Sequence, residues 1–199
     1  MERKSGFTLV EIIMVIILLG ILGILGTVGL NSAVSSDRGM YERQLESAIR
    51  YAQNYAMSHF TYTAVVFSTA ATAGSNPPCS TGSASSSYDG YAVCACNGNT
   101  SSSSLQPLAN PLAQTADNFY VSMNYGISYN VPGYDSNYIA FNSAGQPGTF
   151  PPGTTFPCAD ISTTFNLSTS TAQISFGSLS NQSFYIYPNT GLVSYNGKL

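Results

Sequence analysis

The chain has 199 residues, of which 8% are charged and 12% aromatic, and this length favours one domain, or one domain with an appendage. After Arg50 the only charged side chains are Asp89, Asp117, Asp135, Asp160 and Lys198. A surface with so few cations cannot neutralise a run of phosphates, which excludes nucleic-acid binding by the body of the chain. The 14 Tyr and 10 Phe argue against intrinsic disorder.

The first predicted element is an apolar helix over residues 7–30, preceded by a short basic segment, residues 1–6. The 24 residues from Phe7 to Leu30 would form a helix of about 36 Å, long enough to cross a hydrocarbon core of about 30 Å. Arg3 and Lys4 place the N-terminus in the cytoplasm. A cleaved secretory signal peptide is the alternative, but the run is too long for one and no clear cleavage site follows it. We therefore interpret it as a single-span membrane anchor.

Glu11 is the only charged residue in this apolar run. A carboxylate at membrane depth is costly unless it has a partner. Cleavage between Gly6 and Phe7 would create an α-ammonium four residues before Glu11, on the same helix face. The two charges could then pair within one chain or between packed chains; the alternative is that Glu11 reaches the lipid headgroups.

The segment Lys4–Glu11, followed by an unbroken apolar helix, resembles the class III leader of type IV pilins and type II secretion pseudopilins. The resemblance implies that a prepilin peptidase cuts after Gly6 and N-methylates Phe7. It implies that Glu11 pairs with the N-terminal amine of a neighbouring subunit during assembly. It also implies a protein held in the lipid of the bacterial inner membrane, with its head in the periplasm, until an assembly platform adds it to a helical filament of other pilins.

An amphipathic helix is predicted over residues 31–59. Its apolar side chains recur at the spacing of one helix face: Tyr41, Leu45, Ala48, Ile49, Ala52 and Ala56. The pairs Arg38–Glu42 and Glu46–Arg50 stand at i,i+4 spacing on the opposite face. The apolar face needs a cover, and the sheet predicted downstream is the natural one.

Residues 60–199 are predicted to form a β-rich head, so the whole chain is expected to have an α+β fold, with an antiparallel sheet or small sandwich. The candidate strands are Thr61–Phe67, Tyr91–Cys96, Ile127–Val131, Tyr138–Asn142, Thr163–Leu167, Ala172–Phe176, Phe184–Tyr187 and Leu192–Tyr195. Hairpin turns are predicted at residues 168–171 and 188–191, with Gly191 at positive φ in the second. The Ser-rich loops 68–87 and 97–104 are expected to be mobile and at the surface.

Three later segments extend the resemblance. Leu45–Met57, Ile139–Pro147 and Tyr185–Gly191 resemble parts of the GspH/FimT-like minor pilins and pseudopilins, and most of all the minor pilins of mannose-sensitive haemagglutinin (MSHA) type pili. The resemblance implies a pilin fold, in which the N-terminal helix packs on the sheet of the head.

The four cysteines, Cys79, Cys94, Cys96 and Cys158, all lie in the predicted head. An even number in an oxidising compartment predicts two disulfides. Cys94 and Cys96 share one face of a strand and are poorly placed to bond each other. Two connectivities remain, Cys79–Cys94 with Cys96–Cys158, or Cys79–Cys96 with Cys94–Cys158. A zinc site is disfavoured because no histidine lies near and no CxxC pair exists.

The sequence offers no nucleophile elbow, no histidine near a nucleophile and no paired carboxylates, so we predict no enzymatic activity, no cofactor and no metal. The predicted function is that of a minor pilin, a structural subunit that leaves the inner membrane for an extracellular type IV pilus. One alternative is an H-type pseudopilin, whose filament stays in the periplasm and serves type II secretion. Another is a tip adhesin that binds glycans or surfaces through the Tyr- and Asn-rich residues 117–138.

Overall fold

The computed structural model describes residues 9–68, 79, 88–96, 105–111, 120–130, 136–151, 156, 158, 165–176 and 183–195. Within these ranges the chain forms one helix and ten strands: α1 Leu9–His59, β1 Thr63–Ser68, β2 Tyr88–Cys96, β3 Leu105–Pro107, β4 Tyr120–Asn130, β5 Tyr138–Phe141, β6 Pro147–Thr149, β7 Asn166–Leu167, β8 Ala172–Phe176, β9 Ser183–Ile186 and β10 Val193–Tyr195. The predicted α+β class is confirmed.

The chain divides into two compact units, Met1–Arg43 and Gln44–Leu199. Of the first unit, the structure describes the N-terminal part of α1. The second unit contains the remainder of α1 and all ten strands. The C-terminal half of the predicted amphipathic helix therefore belongs to the same compact unit as the sheet.

All strand pairs of the sheet are antiparallel, as predicted. The strands follow the order β10-β9-β8-β4-β2-β1-β5-β6-β7, and β3 pairs β2 beside this path. Every predicted strand has a counterpart, although β4 begins earlier than its prediction and β7 is shorter. Sequence analysis missed β3 and β6, which have three residues each and contain a proline.

One predicted hairpin is confirmed and the other is wrong. Residues 188–191 connect β9 to its partner β10, and Gly191 has the predicted positive φ, 66°. Residues 168–171 do not close a hairpin. They connect β7, which pairs β6, to β8, which has β4 and β9 on its two sides. The Ser/Thr composition marked a change of direction correctly, but it carries no information about which strands pair.

The connection from β7 to β8 shows that the sheet is strongly curled. The two strands are six places apart in the sheet order, about 29 Å in a flat sheet at roughly 4.8 Å per strand. The four residues between them can span at most about 18 Å. The two ends of the sheet must therefore bend toward each other.

The C-terminal half of α1 covers one face of the central strands. Five helix side chains are completely buried: Leu45, Ala48, Ile49, Ala52 and Ala56. The buried Thr63 hydroxyl of β1 donates a hydrogen bond to the Ala52 carbonyl at 2.8 Å, which places Thr63 on this face. On the opposite side of the helix Arg50 and Glu46 form the predicted i,i+4 ion pair at 2.6 Å. The expected packing of the helix on the sheet is confirmed for this unit.

A second core lies on the other face of the same strands, and sequence analysis did not foresee it. Ala64, Cys94 and Ala140 of three adjacent strands belong to it. Aromatic rings cover them, with centroids 4.8–5.5 Å apart: Tyr62, Tyr138, Phe150, Phe156 and Phe165. The central strands are therefore buried on both faces.

Candidate functional site

The N-terminal part of α1 is an apolar helix surface. Every described side chain from Leu9 to Ile21 is exposed, and the large apolar ones expose between 49% and 74% of their surface. Apolar residues point to all sides of this helix, which is typical of helices covered by lipid or by other helices. This part of α1 is therefore expected to be buried by lipid or by other helices.

Within the described part of the chain, no helix combines the length and the mean hydropathy needed to cross a membrane. The predicted span, residues 7–30, reaches beyond that part, because residues 7 and 8 and the side chains of residues 22–30 lie outside it. The span stays a prediction.

Glu11 lies in the first turn of α1, where the positive end of the helix dipole favours an acidic side chain. Its side chain is exposed, among exposed apolar neighbours. Gly6 and Phe7, the predicted processing site, lie outside the described residues, so cleavage and methylation stay predictions.

The cysteines form two disulfides, Cys79–Cys94 and Cys96–Cys158. This is one of the two connectivities that the sequence left open. Cys94 and Cys96 both point into the second core, and Cys79 and Cys158 pack against it. Each bridge therefore ties a distant part of the chain to β2. The described residues contain no group of three His, Cys, Asp or Glu side chains that could hold a metal ion.

Gln53 of α1 joins two turns of the sheet. Its side-chain amide donates hydrogen bonds of 2.8 Å to the carbonyls of Gly145 and Thr190. Gly145 belongs to the turn between β5 and β6, and Thr190 to the turn between β9 and β10. These strands are on opposite halves of the sheet order. One helix side chain therefore connects the two halves of the curled sheet. We call Gln53 and the two turns the Gln53 junction.

The two turns are shaped to receive the helix. Gly145 and Gly191 have φ of 75° and 66°, which favours glycine. A Cβ on Gly145 would lie 2.7 Å from the Met57 sulfur, and one on Gly191 would lie 2.6 Å from Gln53 Nε2. The Asn142 side chain accepts hydrogen bonds from the backbone N–H groups of Ala144 and Gln146 and so fixes the first turn. The Gln53 junction brings together residues of three segments that are distant in the sequence, Leu45–Met57, Ile139–Pro147 and Tyr185–Gly191.

Two buried tyrosines differ in their hydrogen bonding. The Tyr138 hydroxyl accepts a hydrogen bond from the Phe150 N–H at 3.1 Å. Among the described residues, the Tyr91 hydroxyl is buried without a hydrogen-bond partner. Burial raises the pKa of both phenols above the ordinary value, and for Tyr138 the bond from Phe150 opposes the rise.

The end of α1 carries exposed aromatic rings. The Tyr55 and His59 rings stack with their centroids 3.8 Å apart, and Phe60, the first residue after the helix, is 85% exposed. Phe60 has a positive φ of 51°. Sequence analysis missed Phe60 because no local pattern predicts this conformation for a phenylalanine.

Most side chains of residues 117–138, the segment invoked for an adhesin, lie outside the described set. The structure gives the backbone of β4 there, but side chains only at Val121 and residues 136–138. The two Ser-rich loops are also outside it, apart from Ser68 and Cys79. The adhesin hypothesis and the predicted mobility of these loops stay untested.

Searches with this chain among known protein families, characterised proteins and solved structures give no significant match. Its function must therefore be argued from its own residues.

Proposed function

We propose that the chain is a structural subunit of a type IV pilus, a minor pilin held in the bacterial inner membrane until its N-terminal helix enters the filament. The observation that carries the proposal is the exposed apolar surface from Leu9 to Ile21, with Glu11 as its single carboxylate. The leader-like sequence before it, Lys4-Ser5-Gly6-Phe7-Thr8, supports the same function.

The apolar surface would hold the subunit in the membrane before assembly and in the helix bundle of the filament after it, but the two states differ in what stabilises them. In water, exposed apolar side chains of this size would cost on the order of 1 kcal/mol each, so the helix needs lipid or other helices around it. Moving from lipid to a helix bundle gains little from the hydrophobic effect, because lipid tails are as apolar as leucine. Packing and polar contacts must then favour the filament over the membrane.

Glu11 can supply that preference. Its charge is costly in the hydrocarbon core, and the cost falls when an ammonium group lies beside it. The new N-terminal amine of a neighbouring subunit, created by cleavage after Gly6, is such a group, and N-methylation leaves it charged. In the filament this amine lies beside Glu11 of the next subunit, and the ion pair between subunits adds a polar contact that favours assembly.

The head is suited to the outside of a filament. Its central strands are buried on both faces and tied by two disulfides, which persist in an oxidising compartment. Few charges remain beyond Arg50, so contacts between heads depend on polar and apolar surfaces. The helix and the turns meet at the Gln53 junction, which fixes the head to the C-terminal half of α1.

The deciding experiment is the intact mass of the chain isolated from cells with and without prepilin peptidase. We expect a protein that begins at N-methylated Phe7 only when the peptidase is present. Reduction should add the mass of four hydrogens, because two disulfides open. A mass that is independent of the peptidase, or that begins near Ser32, would contradict the proposal.

A second experiment tests assembly with variants of one side chain. Glu11→Gln removes the charge and keeps the shape, and Glu11→Asp keeps the charge. We expect both to be processed, and only Glu11→Gln to be lost from sheared extracellular filaments. If deleting the chain abolishes protein secretion and leaves surface pili intact, the pseudopilin alternative is correct.

A further inference from the structure

Both disulfides are attached to one strand of the second core. Cys94 and Cys96 lie on β2 with one residue between them, so their side chains point to the same face of the sheet. At about 3.3 Å per residue their Cα atoms are only about 7 Å apart along the strand. An incoming cysteine displaced by this distance would meet the wrong partner. The fold therefore has to distinguish between two neighbouring and chemically equivalent thiols.

Loop length alone does not make this distinction. The observed bridges span 15 and 62 residues, and in the other connectivity each loop is two residues longer. The probability of loop closure falls with the 3/2 power of loop length, so it favours Cys79–Cys94 over Cys79–Cys96 by a factor of only about 1.2. For Cys158 the preference is smaller still. In the unfolded chain the two connectivities are therefore almost equally populated, and the folded structure must select one.

Phe156 anchors the chain beside Cys158. Its side chain is buried, and its ring packs edge-on against Phe150 and Tyr138, with centroids 4.8 and 5.5 Å apart. The Cys158 N–H donates a 2.9 Å hydrogen bond to the Phe156 carbonyl, so the two residues belong to one tight turn. The position of the Phe156 ring therefore determines where the Cys158 sulfur can reach.

Aromatic rings connect this anchor to the Cys96 end of β2. Phe150, which contacts Phe156, also packs edge-on against Tyr62, with 5.4 Å between the centroids. Tyr62 lies directly beside Cys96, because its carbonyl accepts a 2.9 Å hydrogen bond from the Cys96 N–H. The three rings therefore hold Cys158 at Cys96 instead of two residues back along the strand, at Cys94.

We infer that Phe156 is a positioning residue that selects the connectivity of both disulfides. By placing Cys158 at Cys96, it leaves Cys94 as the partner of Cys79. The inference goes beyond the proposed function and does not depend on it, since it concerns how the head matures in any oxidising compartment.

Selection by the folded head requires that a wrong first bridge can be exchanged. In a chain that has closed Cys79–Cys96, the Cys94 thiolate attacks the Cys79 sulfur. The Cys79–Cys94 bond forms, the Cys79–Cys96 bond breaks, and Cys96 leaves as a thiolate, so no oxidant is consumed. Cys96 and Cys158 then close the second bridge by passing two electrons to a disulfide oxidant such as oxidised glutathione, which is released as two thiols.

The test refolds the reduced full chain in detergent with reduced and oxidised glutathione, and the bridges are mapped by tandem mass spectrometry. In wild type we expect the observed connectivity in more than about tenfold excess. In Phe156→Ala we expect less than about threefold excess, close to the preference set by loop closure.

The matched control is Phe165→Ala, which removes a ring of the same size that packs against Phe150 and Tyr62 in the same core. It should lower the Tm but keep the wild-type connectivity, and Phe156→Leu should restore most of the excess. The variants are compared at a temperature below their unfolding transitions. Equal scrambling in both alanine variants, or the wild-type excess in Phe156→Ala, would overturn the inference.

A chain with three cysteines keeps the test independent of how Phe156→Ala folds. In Cys158→Ser the Phe156 turn delivers no thiol, so Cys79 can pair with either cysteine of β2. We expect Cys79–Cys94 and Cys79–Cys96 within about threefold of each other. A larger excess of Cys79–Cys94 would show that the segment around Cys79 makes the selection, and the inference would be wrong. None of these outcomes bears on the proposed function, which the peptidase experiment tests separately.

Discussion

Replacing Gln53 by leucine removes both hydrogen bonds of the Gln53 junction and preserves much of the side-chain volume. The amide donates to the Gly145 and Thr190 carbonyls at 2.8 Å. The first bond is partly buried and the second is exposed. Each intramolecular hydrogen bond contributes about 1 kcal/mol net. Water can replace the exposed partner but not fully the buried one, so we expect Gln53→Leu to lower the free energy of unfolding by about 2 kcal/mol.

Gln53→Glu gives the same prediction a pH dependence. An introduced carboxylate would face two carbonyl oxygens, while the protonated carboxyl can still donate one hydrogen bond. The pKa of the introduced carboxyl in the folded chain is therefore raised above its unfolded value of about 4.3. Its stabilising bond is fully present below the unfolded pKa and is lost as the pH rises through the folded pKa. We expect a loss of about 1 kcal/mol at pH 4 and about 3 kcal/mol at pH 7 relative to wild type.

The assay is thermal unfolding of the full chain in detergent, followed by near-ultraviolet circular dichroism, since the chain has 14 Tyr and no Trp. A loss of 2 kcal/mol in a unit of this size corresponds to a Tm lower by about 4–8 °C. Hydrogen exchange should accelerate in both turns of the Gln53 junction. If Gln53→Glu loses the same stability as Gln53→Leu, both at pH 4 and at pH 7, the amide does not act through its two donated bonds.

Four further predictions concern the two cores. Leu45→Ala should lower the free energy of unfolding by about 2–5 kcal/mol in denaturant titration, because Leu45 is completely buried against the sheet. Serine at both ends of the Cys96–Cys158 bridge should cost about 4 kcal/mol on the chain-entropy account, since that bridge spans 62 residues. Tyr91→Phe should be neutral or stabilising by about 1 kcal/mol at pH 7, because it removes a buried hydroxyl without a partner among the described residues. Tyr138→Phe should instead lose about 1 kcal/mol, because its hydroxyl accepts a hydrogen bond.

Each of these predictions has an internal comparison. Ser47→Ala, on the exposed side of the helix, should leave stability unchanged within about 0.5 kcal/mol. Removing the other bridge, which spans 15 residues, should cost about 3 kcal/mol. Burial raises the pKa of Tyr91 in the folded chain above its unfolded value of about 10. The stability of the folded chain is therefore unaffected by this group below pH 10 and falls as the pH rises above it. Wild type should therefore lose about 1.4 kcal/mol per pH unit there, and Tyr91→Phe should lose less. A lower stability of Tyr91→Phe at pH 7 would show that its hydroxyl has a partner.

Sequence periodicity was sufficient to predict the helices and strands that are long enough to show a repeating pattern of buried residues. The helix face ending at Ala56 and the alternation of β8 belong to this class, because burial of one face imposes a period on the sequence. β3 and β6 have three residues each, too few for any period to show. The turn at residues 168–171 illustrates another limit, since turn composition is local and strand pairing is not.

The Gln53 junction could not be predicted for a related reason. Gln53 is a polar residue on a helix, and its partners are 92 and 137 residues away in the chain. Only the glycines gave a signal, because Gly145 and Gly191 both end short polar turns. The cysteines left two connectivities open, since no local pattern distinguishes which loop reaches Cys94 and which reaches Cys96. Tertiary structure alone decides these pairings.

Successive side chains of β2 point to opposite faces of the sheet, one packed against α1 and the other carrying the disulfides. Val93 and Ala95 are paired with Val65 and Thr63 on the face that receives α1, while Cys94 and Cys96 point to the aromatic core. The disulfides therefore lie on the face of the sheet opposite the helix, on the other side from the Gln53 junction. Attachment of the helix then depends on buried apolar contacts and on the hydrogen bonds of Gln53 and Thr63, whereas the bridges hold the remote loops. Reduction should loosen those loops first and leave the helix docked on the sheet, because the helix contacts described above involve neither disulfide.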